Sequence, residues 1–290
     1  DILSVAAQEN AVEILIRNEY VEEIDPDMEV DLVGITGYTS QITRGYHLAD
    51  DFRQRGTPVV MGGIHVSLNP DEAEQHADAL VIGEAEGQWP LAVRDAQNNA
   101  LQKMYRSEKR PALDNCFPDR TIYADKKYLD IGLVETGRGC RFRCDFCTIC
   151  EFYQQSYTPR PIADVIEEIR RLKHRFYFFV DDNIVVDISR VKKFLRALIP
   201  LKIRWFSQGS INMAKDPELL SLMKKSGCEG ILIGFESLNP KTLAEMNKAV
   251  NIHADLDALI DNIHAAGMRA YASFIFGYPH DTIETFAETY

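Results

Sequence analysis

Short apolar runs alternate with amphipathic stretches along nearly the whole chain. In the first hundred residues Val12-Glu13-Ile14-Leu15-Ile16 predicts a strand, and Asp31-Leu32-Val33-Gly34-Ile35-Thr36 a second, near-continuously apolar one. A helix is expected over Thr43–Arg55, stopped by Gly56 and Pro58. Pro58-Val59-Val60-Met61 follows as a strand ending at Gly62-Gly63, Asp71–His76 as a short helix, and Ala79-Leu80-Val81-Ile82 as a strand ending at Gly83-Glu84. Apolar strands alternating with helices imply an α/β domain, a parallel sheet covered on both faces. Nothing strand-like precedes the segment Ile2–Gln8, so this sheet is expected to lack its first strand.

Residues 101–130 break the rhythm with Arg110-Pro111, Asn115-Cys116-Phe117-Pro118-Asp119 and Lys126-Lys127, and predict an irregular linker. From Ile131 the alternation resumes with a longer period. Strands are expected at Ile131–Glu135, Phe176–Val180, Ile203–Phe206, Gly230–Phe235 and Ala270–Phe276, with helices over Ile162–Lys173, Ile188–Ile199, Pro217–Ser226 and Leu256–Ala266. Five consecutive βα units suggest a barrel or part of one. A further helix start, with Asp281 at its N-cap and Glu284 at N3, runs into the last residue without a stop signal, so a fragment cut at both ends is expected. The domains read as 1–100, a linker at 101–130, and 131–290.

Charge sharpens the division. Residues 1–100 hold 5 Lys/Arg against 19 Asp/Glu, a net of −14, whereas residues 101–290 hold 27 against 25. A net charge of −12 argues against a chain that grips phosphate backbone, and no apolar run reaches the roughly 18–20 residues that span a bilayer.

Four of the six cysteines crowd into Cys140-Arg141-Phe142-Arg143-Cys144-Asp145-Phe146-Cys147-Thr148-Ile149-Cys150, directly after the first strand of the second domain. No disulfide framework for a chain this size is so crowded, so metal binding in a reducing compartment, and hence a cytoplasmic protein, is expected. Three thiolates at C-x3-C-x2-C suit a [4Fe–4S] cluster whose fourth iron stays open. Adding Cys150 gives four thiolates, enough for a closed zinc site in an interaction protein, though structural zinc usually gathers two pairs across a longer loop. Four buried cysteines without metal is a third reading, which the polar Arg138, Arg141, Arg143 and Asp145 oppose.

The spacing Cys140, Cys144, Cys147, with Phe146 before the third cysteine, resembles the signature loop of radical S-adenosylmethionine enzymes. Strand ends resemble that superfamily in order: Phe179-Val180-Asp181-Asp182-Asn183, Phe206-Ser207-Gln208, Gly234-Phe235-Glu236-Ser237 and Phe276-Gly277-Tyr278-Pro279. Upstream, Gly34 to Ser40, Met61-Gly62-Gly63-Ile64-His65 and Ile82-Gly83-Glu84-Ala85-Glu86 resemble the cobalamin-binding domain that precedes the barrel in one branch. The resemblance implies a Rossmann-like, doubly wound cobalamin-binding domain followed by a partial (βα)6 TIM-like barrel lacking its sixth strand.

It implies further that Cys140, Cys144 and Cys147 hold a cluster and that S-adenosylmethionine is bound around Phe146, Asp181, Asp182, Asn183, Ser207, Gln208, Glu236 and Gly277. Capping of the next helix by Asp182 or Asn183, and an ion pair for Glu236, are the competing readings. Cobalamin would be bound by Thr36, Gly37, Ser40, Gly62, Gly63, His65, Gly83 and Glu84, at the strand ends facing the cluster; glycines that only make turns are the alternative. No Asp-x-His-x-x-Gly occurs, so a histidine ligand to cobalt is not expected from this stretch. The implied reaction acts on a small molecule, with methylation of carbon the commonest outcome, and draws its electron from an external flavodoxin- or ferredoxin-type donor. Related methylthiotransferases that act on RNA or protein carry a second cluster on three N-terminal cysteines, whereas residues 1–115 here hold none. No nucleic-acid partner is expected.

Overall fold

The structure, a computed structural model, describes residues 12–290 except Pro26, Asp125 and His253. The described residues form two compact units, one comprising those up to 112 with 116–128, the other 113–115 with 129–290.

The first unit is built on a four-stranded parallel sheet in the order β1 (Val33–Thr36), β2 (Val59–Gly62), β3 (Ala79–Ile82), β4 (Met104–Arg106). Alternation within each strand feeds two cores. Val59, Met61, Leu80 and Ile82 pack under helix α1 (Ile42–Gln54), which presents Ile42, Tyr46, Ala49 and Phe52 at helical spacing. Helices α2 (Ile64–Leu68) and α3 (Pro70–Ala73) complete that layer through Val66 and Ala73. Val60, Ala79 and Val81 face the other way, toward Ala92 and Trp89 of α4 (Gln88–Gln97). Both faces are therefore covered, as a parallel sheet requires.

Three expectations are corrected here. Residues 12–16 are not a strand: no neighbouring strand among the described residues pairs with them, the Ile16 carbonyl accepts from Lys126 Nζ at 2.8 Å instead, and Leu15 is 54% exposed. The segment Ile2–Gln8 lies outside the described residues. Residues 101–130 are not wholly a linker, because β4 pairs Leu80 with Met104 and buries Tyr105 against Val60 and Ala79. The short helix expected over Asp71–His76 ends at Ala73, and α2, directly after the double glycine, precedes it.

The second unit holds a five-stranded parallel sheet in the order β5 (Gly132–Val134), β8 (Phe176–Phe179), β9 (Arg204–Gly209), β10 (Cys228–Glu236), β11 (Arg269–Phe274). These are the five expected strands, each within a few residues of its predicted bounds. A short antiparallel pair, β6 (Gly137–Gly139) with β7 (Tyr157–Pro159), is inserted between the first two, with α5 (Thr148–Phe152) between its strands. Helices α6 (Ile162–Leu172), α7 (Ile188–Leu198), α8 (Pro217–Lys225) and α10 (Leu256–Ala265) pack on one face of the sheet, and α9 (Pro240–Glu245) follows β10. Val134, Tyr177, Phe179, Trp205, Ile231 and Ile233 form the core beneath them. The opposite face keeps Leu133, Leu232 and Tyr271 half exposed. Side chains of Asp187, Asp216 and Asp255 cap α7, α8 and α10 by accepting from backbone N–H groups. The last helix, α11 (Ile283–Thr289), is capped by Thr282 with Thr285 in a capping box. Asp281, expected at that cap, instead accepts from the N–H groups of Gly277 and Tyr278. No described helix is long and apolar enough to cross a membrane.

Candidate functional site

The cysteine loop begins where β6 ends and is fastened on several sides. Asp182 accepts from the Gly139 N–H at 2.7 Å, and the Asp145 N–H donates to the Met246 carbonyl at 3.2 Å. Tyr278 Oη donates to Asp145 Oδ1 at 2.9 Å, and Cys150 Sγ donates to the Phe142 carbonyl at 3.0 Å. Cys140 and Cys144 are buried and Cys147, N-cap of α5, is partly exposed. Burial pushes the Cys140 and Cys144 thiols up, while Lys248 pulls Cys144 back down. Cys150 is pushed up to about 12 by burial and by the neighbouring Cys147 thiol. Its carbonyl contact suits a packing thiol.

Among the described residues no three His, Cys, Asp or Glu side chains converge as ligands of a single ion. A cuboidal cluster takes each cysteine on a different iron, and the three thiols share one loop, near enough that their neighbours help push the Cys140 and Cys144 thiols up.

The polar groups at the strand ends divide by what they touch. Asp181 is fully buried and accepts from Thr136 N–H at 3.0 Å and Thr136 Oγ1 at 2.6 Å. It ties the end of β8 to the end of β5, and its burial pushes the carboxyl pKa up to about 7. Ser207 Oγ donates to the Phe179 carbonyl at 2.7 Å and Gln208 Nε2 to the Asp181 carbonyl at 3.0 Å, joining β9 to β8. Asn183 sits deepest toward the loop, with Nδ2 3.9 Å from Cys140 Sγ and 3.2 Å from Ser210 Oγ. Its Oδ1 accepts from Val185 N–H in a local turn, and the cap of the next helix falls to Asp187 rather than to Asp182 or Asn183. Asp181, Ser207 and Gln208 therefore hold the framework, whereas Asp182 and Asn183 touch the cysteine loop itself.

Glu236 ends β10 in a left-handed conformation at φ 66°, and its carboxylate folds back over Gly234, where any Cβ would collide with it. Its Oε1 meets Lys248 Nζ at 3.0 Å, the ion pair offered as the alternative. The Lys248 ammonium also lies 5.8 Å from the centroid of the Phe146 ring. Sequence reasoning missed Lys248, because it sits in an irregular stretch with no spacing signal. Gly277 turns at φ 106° with open space where a side chain would stand.

In the first unit, Thr36, Gly37 and Ser40 follow β1, Gly62 and Gly63 follow β2, and Gly83 and Glu84 follow β3, all at the same edge of a parallel sheet. Gly63, at φ 99° and ψ −176°, is demanded from within: a Cβ there would meet Thr36 Oγ1 at 2.5 Å. Gly62 is snug against the Val81 carbonyl. Gly83 differs, with φ 83° and nothing within 4 Å of where a Cβ would stand, so the space above it is open to a ligand. Ser67 joins these turns by donating to the Gly63 carbonyl at 2.7 Å and accepting from Gly83 N–H at 2.8 Å. His65 points inward, its Nδ1 3.0 Å from Thr39 Oγ1 and its Nε2 3.7 Å from Glu72. Glu84 is paired with Arg110 at 2.7 Å. The backbone cradle thus fits a large ligand better than these two side chains do.

This arrangement, a parallel barrel-type sheet with a three-cysteine loop after its first strand, is that of the radical SAM superfamily, whose family model matches residues 134–290; the chain belongs to it. A B12 binding domain model matches residues 6–91. Among known proteins the chain is similar to bacteriochlorophyllide d C-8(2)-methyltransferase of Chlorobaculum tepidum, at 31% identity over 293 residues, covering 94% of this chain and 65% of that protein. The C-12(1)-methyltransferase of the same organism is 31% identical over 271 residues, covering 90% and 59%. The chain thus spans about three fifths to two thirds of these relatives. Its fold is that of the radical S-adenosylmethionine methyltransferase TsrM from Kitasatospora setae with cobalamin and a [4Fe–4S] cluster bound (TM-score 0.71, 17% identity, 89% of this chain and 61% of that one).

Proposed function

We propose that the full protein is a cobalamin-dependent radical S-adenosylmethionine enzyme that methylates a carbon of a small molecule. The observation that carries this is the three-thiol loop, pinned by Asp182, Met246 and Tyr278 at the carboxyl ends of a parallel sheet, where barrels of this kind do their chemistry. When bound, the cluster supplies the electron that splits S-adenosylmethionine to a 5′-deoxyadenosyl radical, and cobalamin carries the methyl group.

The chain's own residues would act around these groups. Cys140, Cys144 and Cys147 each hold one iron as thiolates, and Asn183 steadies Cys140. Glu236, at the mouth of β10 and paired with Lys248, would accept from ribose hydroxyls, and the ring of Phe146 would shield the bound nucleoside from water. Asp182 keeps the loop in place, while Asp181, Ser207 and Gln208 keep the strand ends in register. Gly277 leaves room for the adenine. In the first unit the turns at Gly62, Gly63 and Gly83, with Thr36, Gly37 and Ser40, cradle cobalamin. The electron would come from a flavodoxin- or ferredoxin-type donor in a reducing, cytoplasmic setting that keeps the thiols free.

The test is anaerobic purification of the full-length protein with iron, sulfide and corrinoid analysis, followed by assay of 5′-deoxyadenosine formation. Four irons per chain, retained hydroxocobalamin and nucleoside release are expected. Alanine at Cys140, Cys144 or Cys147 should abolish iron binding, whereas Cys150→Ala should keep it. Stoichiometric zinc without iron would overturn the reading.

A further inference from the structure

We propose that Lys248 is a positioning residue for the electron-transfer step: its ammonium, held against the cysteine loop, raises the reduction potential of the cluster carried by Cys140, Cys144 and Cys147. The inference deepens the cluster reading above and rests on it.

The placement is specific. The segment that carries Lys248 is fastened on both sides of it, by the Met246 carbonyl accepting from Asp145 N–H at 3.2 Å and by Asn251 Nδ2 donating to the Gly234 and Phe235 carbonyls at 2.9 Å each. The first bond reaches into the cysteine loop and the second closes the end of β10. Between them the Lys248 side chain is only 11% exposed. Its Nζ lies 3.0 Å from Glu236 and 5.8 Å from the centroid of Phe146, which stands in the chain between Cys144 and Cys147. The ring face attracts the cation and holds it close enough to act on Cys144.

Reduction of the cluster adds one negative charge. A cation withdrawn from water and close by is weakly screened, so it stabilises the reduced form more than the oxidised one. Charge and hydrogen bonding around the cluster are among the protein's means of setting its potential. Glu236 only partly offsets this, because both groups act on Cys144 and the ammonium acts more strongly than the carboxylate. A lysine needed merely to neutralise Glu236 would have no reason to be fixed to the cysteine loop.

The test is a redox titration followed by electron paramagnetic resonance, on the full-length protein with its cluster reconstituted and no S-adenosylmethionine added. Wild type, Lys248→Met and Lys248→Arg are compared, with iron content measured for each. In Lys248→Met the ratio of reduced to oxidised cluster at a fixed poise is expected to fall about tenfold, a midpoint about 59 mV more negative. Lys248→Arg, which keeps the charge, should stay near wild type. If Lys248→Met takes up too little iron to be read, Lys248→Gln serves in the same comparison. A neutral variant with full iron and an unchanged midpoint overturns the proposal, including the case in which Lys248 serves only to grip S-adenosylmethionine. Absence of iron from the wild type would instead overturn the cluster reading.

Discussion

Asp181 makes the second unit sensitive to pH in a way that can be measured. Its carboxyl is buried completely, accepts two hydrogen bonds from Thr136, and is pushed by burial from 3.8 to about 7. A raised carboxyl pKa means that the folded state holds the proton more tightly than the unfolded chain does. Between about pH 4 and 7 the folded state therefore binds more protons, and stability falls as pH rises through that window. The gap corresponds to about 4 kcal/mol when crossed in full, a large share of the stability of an ordinary domain. Asn at this position has nearly the shape of the protonated acid, with no proton to lose. Trp205 is fully buried in the second unit, and replacing Trp89 by Phe would leave it as the sole indole reporter. Urea unfolding followed by its fluorescence should show the midpoint dropping from pH 5 to pH 7.5 with Asp181 present. With Asp181→Asn the drop should be mostly gone, and the variant should be at least as stable as the parent at pH 7.5. Equal pH dependence in both proteins would refute the argument.

Two further expectations follow from the same reasoning. Gly63→Ala should destabilise the first unit by about 1–3 kcal/mol or more, through its backbone region and the collision with Thr36, whereas Gly83→Ala, strained in backbone alone, should cost about 1–2 kcal/mol in urea unfolding yet weaken hydroxocobalamin binding in a spectral titration. Arg160 pairs with Glu168 at 2.7 Å with both side chains almost wholly buried, and it also donates to the Glu135 carbonyl; Arg160→Ala should cost about 3–5 kcal/mol in the same unfolding assay.

The five strands of the second sheet were readable in the sequence because each carries a run of residues such as Tyr177 and Phe179, or Ile231 and Ile233, that only a buried strand accommodates. The first unit was harder. Its strand Met104–Arg106 has three residues and buries one, too little to make a periodic signal. Helix α2 starts directly after Gly63, where two glycines promised only a turn. The pair β6 and β7 is built on Gly-Arg-Gly and Tyr-Thr-Pro, three residues each, where the glycines and the proline oppose a strand and Tyr157-Thr158 is too short a run to make a signal. Conversely, residues 12–16 carried an apolar run and found no strand to pair with among the described residues.

In the candidate site, the cysteines and the strand-end polar groups were legible as residue types. Which of those groups aim at the loop and which at neighbouring strands was not. Asp181 and Asp182 are adjacent in the chain, yet one binds Thr136 and the other Gly139. Direction alternates along an extended backbone, and residue identity does not encode it.

The order of strands in the second sheet, β5, β8, β9, β10, β11, is also their order along the chain, with only the short β6–β7 pair set aside. Every new strand finds its partner in the one that precedes it. The contacts that close the sheet are therefore local on the scale of a single βα unit, a topology that keeps loop-closure entropy low and favours fast folding among parallel sheets. A chain emerging from the ribosome adds strands one at a time, each helix covering its strand before the next arrives, so that the growing side of the sheet shows a single unpaired edge at each stage, opposite the constant edge of β5.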